Sequence, residues 1–140
     1  MADTFPFTLV TPTGIVYEGP VVQAVAIGAL GEFGVLAGHT NYITAIEPGM
    51  LTLYVDGGGT TEYLLSGGLA EVKDGSMTIL ALDAQPPASV DSTAAAAEIP
   101  AAEARLAEVN AYDVGYAEVE QELKFARART AIEQLHRVHN

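Results

Sequence analysis

Glu47-Pro48-Gly49-Met50-Leu51-Thr52-Leu53-Tyr54-Val55-Asp56-Gly57-Gly58-Gly59-Thr60-Thr61-Glu62-Tyr63-Leu64-Leu65-Ser66-Gly67-Gly68 decides the fold class. A Pro-Gly turn opens a run rich in Leu, Thr, Tyr and Val, an Asp-Gly-Gly-Gly turn follows, and a second such run ends at a glycine pair. Runs joined by so short a turn pair antiparallel, because parallel strands need a crossover on the order of a dozen residues. The same grammar extends in both directions. Upstream, Thr8 to Val10, Val21 to Ile27 and Gly34 to Leu36 read as strands, with Thr11-Pro12-Thr13-Gly14 as a turn. Downstream, Leu69 to Val72 and Met77 to Leu82 do so around Lys73-Asp74-Gly75. Residues 1 to about 85 are therefore expected to form an all-β sandwich.

Composition changes at Gln85-Pro86-Pro87-Ala88-Ser89, beyond which Ala, Glu and Arg dominate. Residues 86–140 are expected to be a linker and an antiparallel two-helix hairpin. Ile99, Ala102, Leu106 and Val109 have helical spacing, as do Tyr116, Val119, Leu123 and Ala126, with a turn at residues 110–115. Pro100 fits a helix best in its first turn, so the first helix is expected to start near it. A further stripe, Phe125, Ala128, Ile132 and Leu135, lies roughly 200° from the first at about 100° per residue. That second face either rests on the sandwich or serves a partner.

With 140 residues, 49% apolar and 17% charged, the chain has material for a packed core. Eighteen acids against six Lys and Arg leave a formal charge of −12, which disfavours nucleic acid. No uncharged stretch reaches the ~18 residues of a membrane span. The first residues resemble neither a signal nor a transit peptide. The charge is uneven: residues 1–85 carry nine acids and one base, net −8, and residues 86–140 nine acids and five bases, net −4. Lys124, Arg127, Arg129 and Arg137 crowd the C-terminal end, either as cations favoured by a helix dipole or as a surface for an acidic partner.

Chemistry-bearing motifs are scarce. With no cysteine there is neither a thiolate nor a Cys-based metal site. Phosphate loop, dinucleotide fingerprint and nucleophile elbow are missing. Ser66, in Leu65-Ser66-Gly67-Gly68, reads as a strand-end turn. His136 and His139 have i, i+3 spacing without a third ligand nearby, so no metal is expected. His39, in the least charged part of the chain, reads as a structural or interface residue. A small sandwich enzyme or sugar-binding module using His39 with Glu32 or Glu47 is the competing reading.

Gly31-Glu32-Phe33-Gly34-Val35-Leu36-Ala37-Gly38-His39-Thr40-Asn41-Tyr42-Ile43-Thr44-Ala45-Ile46-Glu47-Pro48-Gly49 resembles the epsilon subunit of the F-type ATP synthase, called delta in mitochondria. Tyr63 to Val72, with its Leu-Ser-Gly-Gly, and Phe7-Thr8-Leu9-Val10-Thr11-Pro12 followed by Val16-Tyr17-Glu18-Gly19 are similar to that family too. The resemblance implies about ten strands followed by the helical hairpin, in a non-catalytic central-stalk subunit. In that family the sandwich clamps the gamma shaft onto the c-ring and couples rotation to proton-driven ATP synthesis. Carried over, Gly31, Glu32 and Phe33 face the c-ring, and His39, Tyr42 and Thr44 face gamma. Lys124, Arg127 and Arg129 match the bases with which an extended hairpin meets an acidic segment of the beta subunit and blocks hydrolysis. Asp91 and Arg129 match the region where some members bind ATP, but Ala94 stands where those members have arginine, and no cofactor is expected. The resemblance places the chain on the cytoplasmic face of the inner (plasma) membrane, peripheral and held there only through the complex.

Overall fold

Alternation of buried and exposed side chains organises the first unit, as expected when one face of each strand packs on a core. The computed structural model describes the backbone of residues 3–112 and 115–139 and side chains as far as residue 131. Ile132, Leu135, His136, Arg137 and His139 therefore have side chains outside the described residues.

The chain forms two compact units, residues 1–85 and 86–140. The first holds β1 (Phe5–Thr11), β2 (Gly14–Val21), β3 (Gln23–Gly28), β4 (Gly31–Leu36), β5 (Tyr42–Ile46), β6 (Gly49–Tyr54), β7 (Thr60–Leu65), β8 (Gly68–Lys73), β9 (Ser76–Ala81) and β10 (Ala84–Gln85). One layer runs β4-β3-β6-β7-β10 and the other β5-β8-β9-β1-β2, joined through the single pair Gly28–Ile46 between β3 and β5. Phe5, Phe7, Leu9, Ala70, Val72, Met77 and Ile79 from the second layer meet Ala24, Ala26, Val35, Leu51, Leu53 and Leu65 from the first in one core.

Aromatic pairs close both flanks between the layers. Phe33 of β4 stands edge-on to Tyr42 of β5 at 5.7 Å between centroids, and Tyr17 of β2 to Tyr63 of β7 at 6.4 Å. Each lies within the range where tilted rings attract. Burial, with Tyr17 as a second cause, raises the Tyr63 phenol above its ordinary value.

The ten-strand sandwich agrees with expectation, but the strand-by-strand reading was incomplete. Val21 to Ile27 is not one strand, since β2 ends at Val21 and β3 starts at Gln23. β10 is only two residues long, and β2 and β5 were not singled out although Ile15-Val16-Tyr17 and Tyr42-Ile43-Thr44 carry the β-branched and aromatic residues typical of strands. β2 contains Glu18, Gly19 and Pro20 and survives as an edge strand, where a proline forfeits no ladder bond. One pairing, β1 with β9, is parallel. Local turn chemistry could not announce it, because those strands are far apart in the chain.

The second unit contains a short 3-10 turn, Pro87–Ser89, then α1 (Ser92–Glu108) and α2 (Tyr116–His139). The expected start of the first helix near Pro100 is corrected. Asp91 caps α1 with a side-chain oxygen that accepts from the Ala94 amide at 3.0 Å, and Pro100 lies inside the helix. A strong N-cap and the run of alanines outweighed the proline.

Candidate functional site

The register places the connections at residues 12–13, 29–30, 47–48, 66–67 and 82–83 at one end of the sandwich. Leu30 is 96% exposed at the tip of the two-residue turn between β3 and β4. That tip is tied to the neighbouring strand: the Ala29 amide donates to the Ala45 carbonyl at 3.2 Å and the Glu47 amide to the Ile27 carbonyl at 2.9 Å. Gly31 follows with φ of 116°, Glu32 is exposed and Phe33 half-buried. Leu82, 66% exposed, shares this end. The surface is thus apolar at its tips, with Glu32 and Asp83 beside them.

His39 lies at the opposite end of β4, in the loop of residues 37–41, so Glu32 and His39 are separated by nearly the length of the strand. The loop is pinned. The His39 amide donates to the Leu36 carbonyl at 3.1 Å, and the Asp74 amide donates to the Asn41 side-chain oxygen at 3.1 Å. His39 Nδ1–H donates to the Thr40 carbonyl at 2.7 Å, leaving Nε2 as acceptor in the neutral ring. The ring also sits edge-on to Tyr42 at 6.0 Å. Tyr42 therefore bridges Phe33 and His39. Tyr42 and Thr44 share the inward face of β5 with buried Ile46, whereas Ile43, 60% exposed, points outward.

The outer face of the second layer carries residues that the sequence reading did not single out. Ala45 pairs with Leu69, Leu69 with Leu80, Leu80 with Val10, and Val10 with Ile15, making a lateral apolar row across β5, β8, β9, β1 and β2. Leu69, Leu80 and Ile15 are substantially exposed. The signal was present as apolar residues at both parities of a strand: Leu69 next to buried Ala70, and Leu80 next to buried Ile79. Ser66 belongs to a turn, its amide donating to the Asp83 carbonyl at 3.1 Å and its hydroxyl to the same carbonyl at 3.5 Å.

In the helical unit the candidate bases already have partners. Lys124 pairs with Glu120 at 3.4 Å, Arg127 with Glu103 at 3.2 Å, and Arg129 with Glu98. Of the two residues expected near nucleotide, Asp91 is occupied as the α1 cap and Arg129 by Glu98. Among the described residues, no three of His, Asp and Glu converge as a metal-ligand set, and no helix is long and apolar enough to cross a membrane.

A family model described as the ATP synthase delta/epsilon chain β-sandwich domain matches residues 4–87, spanning all ten strands. The chain belongs to the ATP synthase delta/epsilon family. The ATP synthase epsilon chain of Bradyrhizobium sp. strain BTAi1 is 45% identical over 106 residues, 75% of this chain and 77% of that one. That of Nitrobacter winogradskyi is 44% identical over 104 residues, 74% and 76% of the two chains. Among solved structures, a chain of the Euglena gracilis mitochondrial ATP synthase, determined as OSCP, F1 and c-ring, superposes with a TM-score of 0.75 at 26% identity. The match covers 98% of this chain and 82% of that one. A chain of the Tetrahymena thermophila mitochondrial synthase central stalk and c-ring reaches 0.61 at 15% identity, over 92% and 96%, and shows the shared fold.

As a delta/epsilon-family chain, the protein is a non-catalytic central-stalk subunit of the ATP synthase. The family model ends at residue 87, so the epsilon-type hairpin lies beyond the matched domain.

Proposed function

We propose that the sandwich couples the c-ring to the gamma shaft, with its two candidate surfaces serving the two partners. The turn-bearing end with Leu30, Gly31, Glu32 and Phe33 meets the ring, and the outer face of the second layer, together with the His39 loop, meets the shaft. The observation that carries this reading is the apolar row from Ala45 to Ile15 on a body of net charge −8. An acidic, soluble surface has little reason to keep Leu69 and Leu80 exposed unless a partner covers them. The inward-turned Tyr42 and Thr44 then support the loop from beneath, and His39 and Ile43 make the contact. The solved relative from Euglena, in an assembly with F1 and c-ring, supports this placement. On this reading the protein is peripheral, on the cytoplasmic face of the membrane, and is held there by the complex.

The hairpin is proposed to restrain ATP hydrolysis by presenting Lys124, Arg127 and Arg129 to an acidic segment of the beta subunit. Its support is charge complementarity and the position of these bases on α2. ATP is not part of this proposal: Asp91 caps a helix, Arg105 pairs with Glu122 at 2.7 Å, and Arg129 is paired with Glu98.

The test is add-back to the cognate synthase stripped of this subunit. Full-length chain, the Leu69→Asp/Leu80→Asp variant and the Lys124→Gln/Arg127→Gln/Arg129→Gln variant are compared for binding, proton pumping and ATP hydrolysis. The first variant is expected to fail to bind or couple, and the second to couple normally while hydrolysing faster. Normal binding by the first overturns the shaft surface; unchanged hydrolysis by the second overturns the brake.

A further inference from the structure

Among its described residues, the helical unit fully buries little apolar material. Of these, only Ala95, Ala102, Leu123 and Ala126 are buried, and three of the four present a single methyl. Ion pairs also run from one helix to the other: Glu98 with Arg129, Glu103 with Arg127 at 3.2 Å, and Arg105 with Glu122 at 2.7 Å.

These pairs are unequal. In Glu103–Arg127 and Arg105–Glu122 every side chain is more than half exposed, so water screens each pair to a small contribution. The Arg129 side chain is only 18% exposed, while its partner Glu98 is 54% exposed, so this pair is shielded from water on the arginine side alone. Both of its terminal nitrogens donate to Glu98, its guanidinium carbon lies 4.6 Å from the centroid of the Phe125 ring, and its Nε is buried with no partner. A guanidinium so placed has little water to replace a lost carboxylate, so its position depends on Glu98. Glu98 and Glu103 also fall on opposite sides of Pro100, whose ring cannot donate the helical bond to the Ala96 carbonyl. The Glu98 end of α1 is therefore joined to the remainder by a weakened turn.

We propose that the hairpin is a charge-fastened clasp in which Glu98–Arg129 is the principal fastening and Glu103–Arg127 and Arg105–Glu122 are weaker ones, so that ionic strength sets how far α1 and α2 stay together. Two of the cations in the clasp are bases by which α2 is proposed above to meet the beta subunit, and the regulatory consequence rests on that reading. While the clasp is shut, α1 occupies Arg127 and Arg129 with its own carboxylates. An external acidic segment gains them only as Glu98 and Glu103 release them, which makes α1 an internal competitor for the basic face of α2.

The test uses the full chain alone. Because the protein has no cysteine, Ala97→Cys and Ala131→Cys, both at exposed positions, give a unique pair of spin-label sites near the Glu98–Arg129 fastening. Circular dichroism confirms that each variant is folded. Raising salt from about 0.01 M to about 1 M, which shortens the screening length from roughly 30 Å to roughly 3 Å, is expected to increase the long-distance population roughly tenfold. Glu98→Gln should do the same at low salt, and Glu98→Arg combined with Arg129→Glu should restore most of the short distance. A distance distribution that ignores both salt and Glu98→Gln overturns the proposal and assigns closure to the apolar seam. The readout needs no synthase. A clasp that responds to salt while hydrolysis ignores neutralisation of Lys124, Arg127 and Arg129 therefore supports the clasp and overturns only the brake.

Discussion

A Cβ built on Gly68 would stand 2.0 Å from the carbonyl oxygen of Leu80. Gly68 is the first residue of β8, paired with both Ile46 and Ala81, so the clash is with a neighbouring strand's backbone and cannot be relieved by turning a side chain. Its φ of +151° adds strain for any L side chain. Gly68→Ala is expected to cost more than about 3 kcal/mol, enough to leave little folded protein. Gly57→Ala meets nothing within 4 Å and should cost only about 1–3 kcal/mol for its positive φ. Denaturant midpoints compare the two, and equal stability of both variants would refute the steric account.

Ile79 and Leu80 separate stability from binding. Ile79 is fully buried and Leu80 is 51% exposed on the opposite face of the same strand. Ile79→Ala should destabilise by about 2–5 kcal/mol in urea unfolding. Leu80→Ala should stay within about 0.5 kcal/mol yet weaken assembly with the shaft. A large stability loss in Leu80→Ala would mean that the outer row belongs to the subunit's own packing.

The capping bond at the start of α1 can be measured directly. Asp91→Ala removes the acceptor for the Ala94 amide and should cost about 1 kcal/mol, with loss of the first helical turn in circular dichroism. Asp91→Asn or Asp91→Ser should restore most of it. If neither rescues, the carboxylate acts through its charge at the helix N-terminus.

Pro100→Ala should return a backbone donor to the interior of α1 and stabilise the hairpin by up to about 3 kcal/mol, seen as a higher melting temperature for the helical signal. No gain would show that α1 is already relaxed around the proline.

Tyr63 should make the sandwich sensitive to alkali. Its folded-state pKa is raised by burial and by Tyr17. The unfolded chain then loses this proton first, near its ordinary value of about 10. The stabilisation is complete below that pH and is lost as pH rises towards the folded value. Tyr63→Phe is expected to flatten the fall in melting temperature above about pH 10. A fall as steep as in the parent chain would assign it to other groups.

Much of this architecture was legible because it is written in neighbouring residues. The Asp56-Gly57-Gly58-Gly59 turn and the alternation through Leu51, Leu53 and Leu65 announced β6 and β7. The site was less legible. Glu32 and His39 stand in distinctive motifs, but the apolar row of Val10, Leu69 and Leu80 comes from three strands and becomes one surface only once β1 lies beside β9. Pro100 misled the helix boundary because a single breaker is a local cue, whereas the cap at Asp91 acts on the whole following run.

By itself, then, the sequence determined the β-then-α order, the antiparallel hairpins, the division near Gln85 and the family, since turn chemistry, side-chain alternation and motif order are properties of short stretches. Only the tertiary structure decided the parallel β1–β9 pairing, closure of the sandwich by Tyr17 on Tyr63, the inward turn of Tyr42 and the capture of Arg129 by Glu98. Each joins elements whose separation along the chain hides the contact or, for Tyr42, depends on which face of a strand meets the core. Their energies arise from burial and from the distance between charges, and neither quantity exists until the chain has folded.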